Sequence, residues 1–365
     1  MSDEYERSPA EASEYGGYSE KQVLFSVPRY ELYKGEMGLA TGILGVGSYL
    51  PPRRVRNAEL PGVSPAMDEW IVSRVGIRER RICLEDQATS DLAYEAAVDA
   101  LKQANVDPAD ISLIIVAASN HDMVMPTTAC IVQSKLCAKN SMAMDIRAGC
   151  AGFITAAVTG AKFIEDGSAR YVLAIGAEVH SKMMDWNDFK SSAFFSDGAG
   201  AVVLGRVPQG YGILASYLMA EGDLADALVV PAGGSRLPAS HETVDQGLHN
   251  IQHDGKKIWR FATRVFPASV REACQRAGVE VADLDFVVPH QANIRMIEKC
   301  MEDLGGLPMT KTHVTVDKYG NSASGTIPIT LREAVDMGKI GRDSLVALTA
   351  FGAGLTYGAT VMRWY

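Results

Sequence analysis

MDIRAGCAGF, residues 144–153, reads as a strand that breaks at glycine and passes straight into an apolar helix, with Cys150 at the break. Each feature has a chemical use. A strand-to-helix turn lifts a side chain clear of the sheet, as a nucleophile elbow does for serine. The small neighbours Gly149 and Gly152 leave room for an acyl group and let backbone N–H groups come close. A helix N-terminus carries about half a positive charge, which favours a thiolate and an oxyanion beside it. The alternative for any single cysteine is a buried structural role. That is the expectation for Cys130 and Cys137 inside TTACIVQSKLCAK (127–139), whereas its setting predicts a nucleophile at Cys150.

Outward from this junction the chain alternates helix-like and strand-like segments. A helical pattern at 90–106 precedes the continuous apolar run SLIIVAA within 107–120. A helix around TTACIVQSKLC, the strand SMAMDI (141–146), a helix over 151–165 and the strands YVLAIGAE (171–178) and GAGAVVLG (198–205) follow. Strands without polar alternation, set between helices, predict an α/β fold whose sheet is covered on both faces. There is also an internal echo. AVDALKQANVDPADISLIIVAA (97–118) aligns without gaps on VREACQRAGVEVADLDFVVPHQ (270–291), and AGFITAAVTGAKFIEDGSARYVLAIGA resembles SGTIPITLREAVDMGKIGRDSLVALTAFGA. Duplication predicts two similar α/β halves facing each other, with a site where they meet.

Composition narrows the function classes. The 365 residues suffice for one large domain or two fused ones. Hydrophobic content of 47% and charged content of 22% are ordinary for a globular protein. No apolar run reaches a membrane-spanning length, and the acidic, polar start MSDEYERSPAEASEYGGYSE is the reverse of a targeting sequence, so a cytoplasmic protein is expected. Residues 1–36 read as a mobile acidic tail, apart from the short VLFSV run at 23–27. Ordered structure is expected from near Met37, with halves at 37–205 and 206–365. The net charge of −9 argues against a nucleic-acid partner. Cys83, Cys130, Cys137, Cys150, Cys274 and Cys300 form no CxxC pair and no metal-ligand spacing with histidine, which predicts free and mostly buried thiols and no metal.

Two further positions carry chemistry. His290 ends the buried strand DFVVPH, at the echo position of the second half, pointing toward the half with Cys150. Asn321 lies in DKYGNSASGTIP (317–328), after a glycine turn and before a helix, where a plain N-cap is the competing role. Near the end, Gly352-Ala353-Gly354 forms a turn between two apolar strands, where a backbone N–H can serve an oxyanion. No helix or Lys-Ser/Thr follows it, so it is neither a P-loop nor a dinucleotide fingerprint.

Taken together, GVGSYLP, DEWIVSRVGIRERR (68–81), MDIRAGCAGF, FFSDGAGAVVLG, VPHQANIR, DKYGNSASGTIP and AFGAGLTYGA resemble the β-ketoacyl-acyl-carrier-protein synthase III family of the thiolase superfamily, over about residues 37–365. The resemblance implies a thiolase-like fold of duplicated halves in α-β-α-β-α layers. It implies a Cys150–His290–Asn321 triad, oxyanion donors at the backbone of Cys150 and Ala353, and support from Asn293. It also implies acyl transfer from an acyl thioester to Cys150, followed by decarboxylative Claisen condensation with a malonyl thioester. Acyl-CoA, a malonyl thioester and acyl carrier protein enter as substrates and partners, with no cofactor beyond them, and a homodimer is implied. Trp70 and Arg74 resemble the pair that sandwiches the adenine of coenzyme A, and Arg295 a basic residue that serves carrier-protein docking.

Two positions depart from the familiar pattern. Phe189 stands where an arginine usually completes the adenine contact, with Lys190 beside it as a substitute cation. Met125 stands where an aromatic side chain often reaches into the partner subunit's acyl tunnel, and its slimmer tip allows a longer or branched primer. Met123, Met183 and Met184 are candidates for the same region. The leading reading is a synthase of fatty-acid biosynthesis. The second is a homologue in secondary metabolism that joins two acyl chains or acylates an O or N acceptor. A dead scaffold would have lost Cys150 or His290. A degradative thiolase would carry a C-terminal cysteine where this chain reads FGAG.

Overall fold

The computed structural model describes residues 39–365, without the side chains of Leu39 and Lys190. The expected mobile tail at 1–36, its VLFSV run and the Lys190 substitution lie outside the described residues.

Five strands form the first sheet: β1 (Leu39–Tyr49), β2 (Ile111–Ala117), β3 (Met142–Ile146), β4 (Tyr171–Val179) and β5 (Asp197–Pro208), in the order β1-β5-β4-β2-β3. β2 runs parallel to β3 and β4, while β5 is antiparallel to β4 and β1. The second sheet holds β6 (Gly212–Ala220), β7 (Phe286–Pro289), β8 (Leu345–Gly352) and β9 (Thr356–Arg363), in the order β7-β8-β9-β6. It repeats the succession of the first without a fifth strand. A single parallel bridge, Val287 to Thr312, stands at that edge.

The principal helices are α1 (Pro65–Arg74), α2 (Thr89–Ala104), α3 (Thr128–Lys135), α4 (Gly152–Glu165), α5 (Gly255–Ala277), α6 (Ile294–Asp303) and α7 (Thr326–Asp336). Successive side chains of a strand face opposite ways, and β2 divides accordingly after a register irregularity between Ile111 and Leu113. Ile111, Ile114 and Val116 pack under the alanine-rich α2 and under α3. Leu113, Ile115 and Ala117 face the middle of the molecule, with Phe153, Ile154 and Ala157 of α4, Ile327 and Leu331 of α7, and Val288, Val346 and Leu348 of the second sheet. The outer face of that sheet, through Val287, Ala347 and Val361, lies under Phe266, Val270 and Ala273 of α5 and Met301 of α6. The layers are therefore α-β-α-β-α, with α4 and α7 sandwiched between two sheets. Strands buried on both faces, β2, β4, β5 and β8, explain the unbroken apolar runs in the sequence, whereas β3, expected to be buried as well, is an edge strand and partly exposed.

The echo extends to local geometry. Helix α2 ends at Asn105 in the left-handed conformation (φ 52°), and α5 ends at Gly278 likewise (φ 69°), 173 positions on. The 3-10 turns 108–110 and 281–283 follow at the same offset. A second matched pair of 3-10 turns, 149–151 and 323–325, leads into α4 and α7, and both open on a residue of positive φ, Gly149 at 51° and Ala323 at 42°.

One expectation fails. Cys130 and Cys137 are exposed, while Cys83, Cys150, Cys274 and Cys300 are buried. Helix α3 is short and buries only one face, through Thr128, Ala129 and Val132, and Cys130 points away from it. Cys137 lies beyond the helix end, at φ 56°.

Candidate active site

Cys150 is the middle residue of the 3-10 turn between β3 and α4. The Gly-rich turn joining β8 to β9 presses directly on it. A Cβ on Gly149 would stand 2.3 Å from Ala353 N, and a Cβ on Gly352 would stand 2.3 Å from Cys150 N. Only a pair of glycines permits two backbones to come this close, and the contact brings the amides of Cys150 and Ala353 together. The thiol is buried. Burial pushes its pKa upward, and the Glu178 carboxylate pushes it in the same direction. The expected helix-end stabilisation of a thiolate is thus overridden in the resting site, because desolvation of a charged sulfur outweighs a partial dipole.

His290 follows β7, and its backbone N–H continues the strand pairing to Thr349 O at 2.8 Å. The imidazole is 1% exposed. Its Nδ1 lies 2.6 Å from Thr326 Oγ1, at the start of α7. Its Nε2 is buried without a hydrogen-bond partner. Burial, and secondarily His180, lower its pKa to about 3, so the ring is neutral at working pH. Phe351 meets the ring edge-on at 5.5 Å. Asn321 is fixed by its backbone, which accepts from Ser196 N and donates to Phe194 O, each at 3.0 Å. Its Oδ1 accepts from Ala323 N at 2.8 Å. Because that partner can only donate, the facing side-chain atom is oxygen, and the amide nitrogen is left for the site. The side chain therefore holds the following turn through its oxygen and keeps its N–H for the site.

Cys150, His290 and Asn321 line a single cavity of about 420 Å³, together with Trp70, Arg74, Asn293 and Arg295. Trp70 is 47% exposed, which sets aside a core role for it, and Phe189 meets it edge-on at 6.4 Å. Asn293 caps α6 by accepting from Arg295 N at 2.8 Å. The Arg295 guanidinium donates to Ser73 O, at the end of α1, and pairs with Glu298. Met125 is not brought to this cavity. It is 80% exposed beside Met123 and Val124. Met183 and Met184 belong instead to the apolar cluster around Ile71 and Phe195.

Comparison with known proteins places this geometry. Two family profiles match, "3-Oxoacyl-[acyl-carrier-protein (ACP)] synthase III" over residues 144–222 and its C-terminal counterpart over 274–364. A β-ketoacyl-[acyl-carrier-protein] synthase III of Caldanaerobacter subterraneus subsp. tengcongensis is 47% identical over 326 residues, spanning 89% of this chain and 98% of that protein. The chain belongs to the β-ketoacyl-acyl-carrier-protein synthase III family.

Among solved structures, the synthase III of Aquifex aeolicus is similar with a TM-score of 0.81 at 39% identity, covering 89% of this chain and all of that one. The priming β-ketosynthase of the R1128 polyketide pathway is similar with a TM-score of 0.81 at 30% identity, covering 90% and 97%. The family's members are condensing acyltransferases of the thiolase fold, and this chain is one of them. Among the described residues no cluster of three His, Cys, Asp or Glu is arranged to hold a metal ion, and no helix is long and apolar enough to cross a membrane.

Several site residues of this synthase-family chain escape a reading of the sequence. Glu178 is wholly buried, accepts from the N–H groups of Ser119 and Asn120, receives Ser324 Oγ at 3.3 Å and lies 3.7 Å from His180 Nε2. Its one signal is an acid at the end of the apolar strand YVLAIGAE. Gln291 uses its whole amide, with Nε2 donating to Pro289 O and His313 O, and Oε1 accepting from Thr315 N and Val316 N. It ties the segment after His290 to the loop that leads to Asn321. Thr326 carries no sequence signal at all.

Proposed function

We propose that this family member forms β-ketoacyl thioesters with Cys150 as nucleophile and with His290 and Asn321 as the side-chain donors of the condensation step. The observation that carries this reading is the convergence of the three side chains on one cavity, with His290 Nε2 and the Asn321 amide nitrogen both uncommitted. Cys150 attacks an acyl thioester, the carrier thiol leaves with the Cys150 proton, and the acyl group stays on sulfur. The adjoining amides of Cys150 and Ala353 stabilise the oxyanion. A malonyl thioester then loses carbon dioxide, and its thioester oxygen takes up the charge as an enolate facing His290 and Asn321. The enolate carbon attacks the acyl carbonyl, the C–S bond to Cys150 breaks, and the released thiolate takes a proton from water.

A neutral imidazole suits this role, because it donates to a developing oxyanion without having to be deprotonated first. The raised thiol pKa means that Cys150 loses its proton as the thioester is attacked rather than beforehand. Acyl-CoA is the expected primer donor, stacked at Trp70 near Arg74, with malonyl-acyl carrier protein docking by way of Arg295, Asn293 supporting the site, and two copies of the chain forming the working unit. Met125 belongs, in that dimer, to the partner's acyl tunnel. We place the reaction in the cytoplasm, where both thioesters occur. The halves at 37–205 and 206–365 would contribute the sulfur and the two nitrogens respectively.

Phe189 against Trp70 favours a second reading, a primer synthase of secondary metabolism charged by a carrier protein, since an aromatic edge replaces a cation beside the nucleotide slot. Mass spectrometry of Cys150 after incubation with mixed acyl-CoA and acyl-carrier donors decides between them. In the same preparation His290→Ala and Asn321→Ala should each slow malonyl decarboxylation about 100- to 1000-fold. Unimpaired decarboxylation in both would overturn the assignment.

A further inference from the structure

The Thr326 hydroxyl is 2% exposed and has three polar neighbours. These are His290 Nδ1 at 2.6 Å, Ala323 O at 2.9 Å and Gln291 N at 3.4 Å. It has one proton to give. Gln291 N–H can only donate, so the oxygen accepts there. Ala323 O is already paired, because it receives Thr326's own backbone N–H at the end of the 3-10 turn. Nδ1 of His290 has no other partner, and its contact with the hydroxyl is the shortest of the three. The arrangement that satisfies every group therefore runs in one direction, from Gln291 N–H to Thr326 O–H to His290 Nδ1. A ring nitrogen that accepts at Nδ1 carries its proton at Nε2. Were the hydroxyl to turn to Ala323 O instead, Nδ1 would hold the proton and Nε2 would face the cavity as a bare lone pair, unable to donate to an enolate.

We propose that Thr326 is a positioning residue for the condensation step: its hydroxyl donates to His290 Nδ1 and locks the imidazole as the Nε2–H tautomer that the enolate oxygen requires. This rests on the role given to His290 above. Thr326 touches no substrate; it acts through the ring it orients. The geometry also explains why a hydroxyl stands at the head of a helix sandwiched between two sheets, among Ile327, Leu331 and Ala334.

The test uses the full chain labelled with 15N-histidine, with the His290 signals assigned by their loss in His290→Asn. In the unaltered protein the ring should give a protonated Nε2 and an unprotonated Nδ1. Thr326→Val keeps the shape and removes the hydroxyl. It should mix the tautomers and slow malonyl decarboxylation at least tenfold more than it slows Cys150 acylation. Thr326→Ser should restore both the tautomer and most of the rate. An Nδ1–H ring in the unaltered protein overturns the proposal, whether or not the valine variant folds. So does a Thr326→Val enzyme that slows both half-reactions equally. Failure of the underlying reading looks different: His290→Ala and Asn321→Ala would then keep normal decarboxylation.

Discussion

Gly352→Ala is the substitution that most directly tests the contact between the two backbones at Cys150. Gly352 needs no left-handed conformation, so its constraint is space alone. A methyl group there would stand 2.3 Å from Cys150 N and 2.8 Å from both Ala148 O and Ala151 N, all main-chain atoms, where ordinary contact begins at about 3.4 Å. The β8–β9 turn must therefore retreat by about 1 Å. It carries Ala353 N with it, and a hydrogen bond to the oxyanion stretched by that amount is no longer one. Losing one such donor costs about 100- to 1000-fold in rate, and overpacking costs about 1–3 kcal/mol of stability. Rapid quench of the enzyme with acyl donor, followed by intact-protein mass spectrometry, reads the acylation step by itself. Gly341→Ala is the control, since a methyl at that position meets nothing within 4 Å. Acylation of Gly352→Ala within threefold of the unaltered rate would refute the pairing of the Cys150 and Ala353 amides.

Removing the charge of Glu178 should lower the pKa of Cys150, because that carboxylate helps to raise it; Glu178→Gln should therefore be alkylated by iodoacetamide severalfold faster at pH 7.5, and an unchanged or slower rate contradicts the coupling. His290, held neutral by burial and His180 with a pKa of about 3 against an unfolded value near 6.5, takes up a proton on unfolding throughout that interval. Its contribution to stability is complete above pH 6.5 and erodes as pH falls toward 3, so denaturation midpoints of His290→Asn should decline less between pH 6.5 and 4 than those of the unaltered chain. Trp70→Ala should raise KM for acyl-CoA roughly 10-fold through loss of base stacking, which is worth about 1–3 kcal/mol, and leave a carrier-protein donor unaffected; equal losses with both donors would remove the adenine from that face. Gln291→Leu, which deletes four hydrogen bonds, three of them linking the His290 segment to residues 313–316, should lower decarboxylation more than acylation, as measured by carbon dioxide release against acyl loading.

The groups legible in the sequence are those marked by chain-local events. Cys150 and His290 each stand where an apolar strand stops, and Asn321 follows a glycine with positive φ, so three junctions announce three residues. The duplicated halves were equally visible, because equal spacing survives where side chains have diverged. What the sequence concealed depends on depth and on contacts across the fold. Helix α4 starts where its glycines imply, yet only the folded chain reveals that the thiol beside it is desolvated and feels the charge of Glu178. The Thr326–His290 bond joins residues 36 positions apart, one at the head of a helix and one at the end of a strand. Cys130 failed for a related reason: an apolar-looking helix has a dry and a wet face, and α3 is too short for periodicity to separate them.

The position of α4 and α7 has one more consequence. Each helix is clamped above and below by a sheet over its leading turns, and only the trailing turns, with Lys162, Glu165 and Asp336, reach solvent. Cys150 and Asn321 ride at their leading ends like tools set in a vice. The cavity wall at Phe194, Phe195, Leu228 and His253 lies outside both helices, so replacements there reshape the cavity while Cys150 and Asn321 stay put.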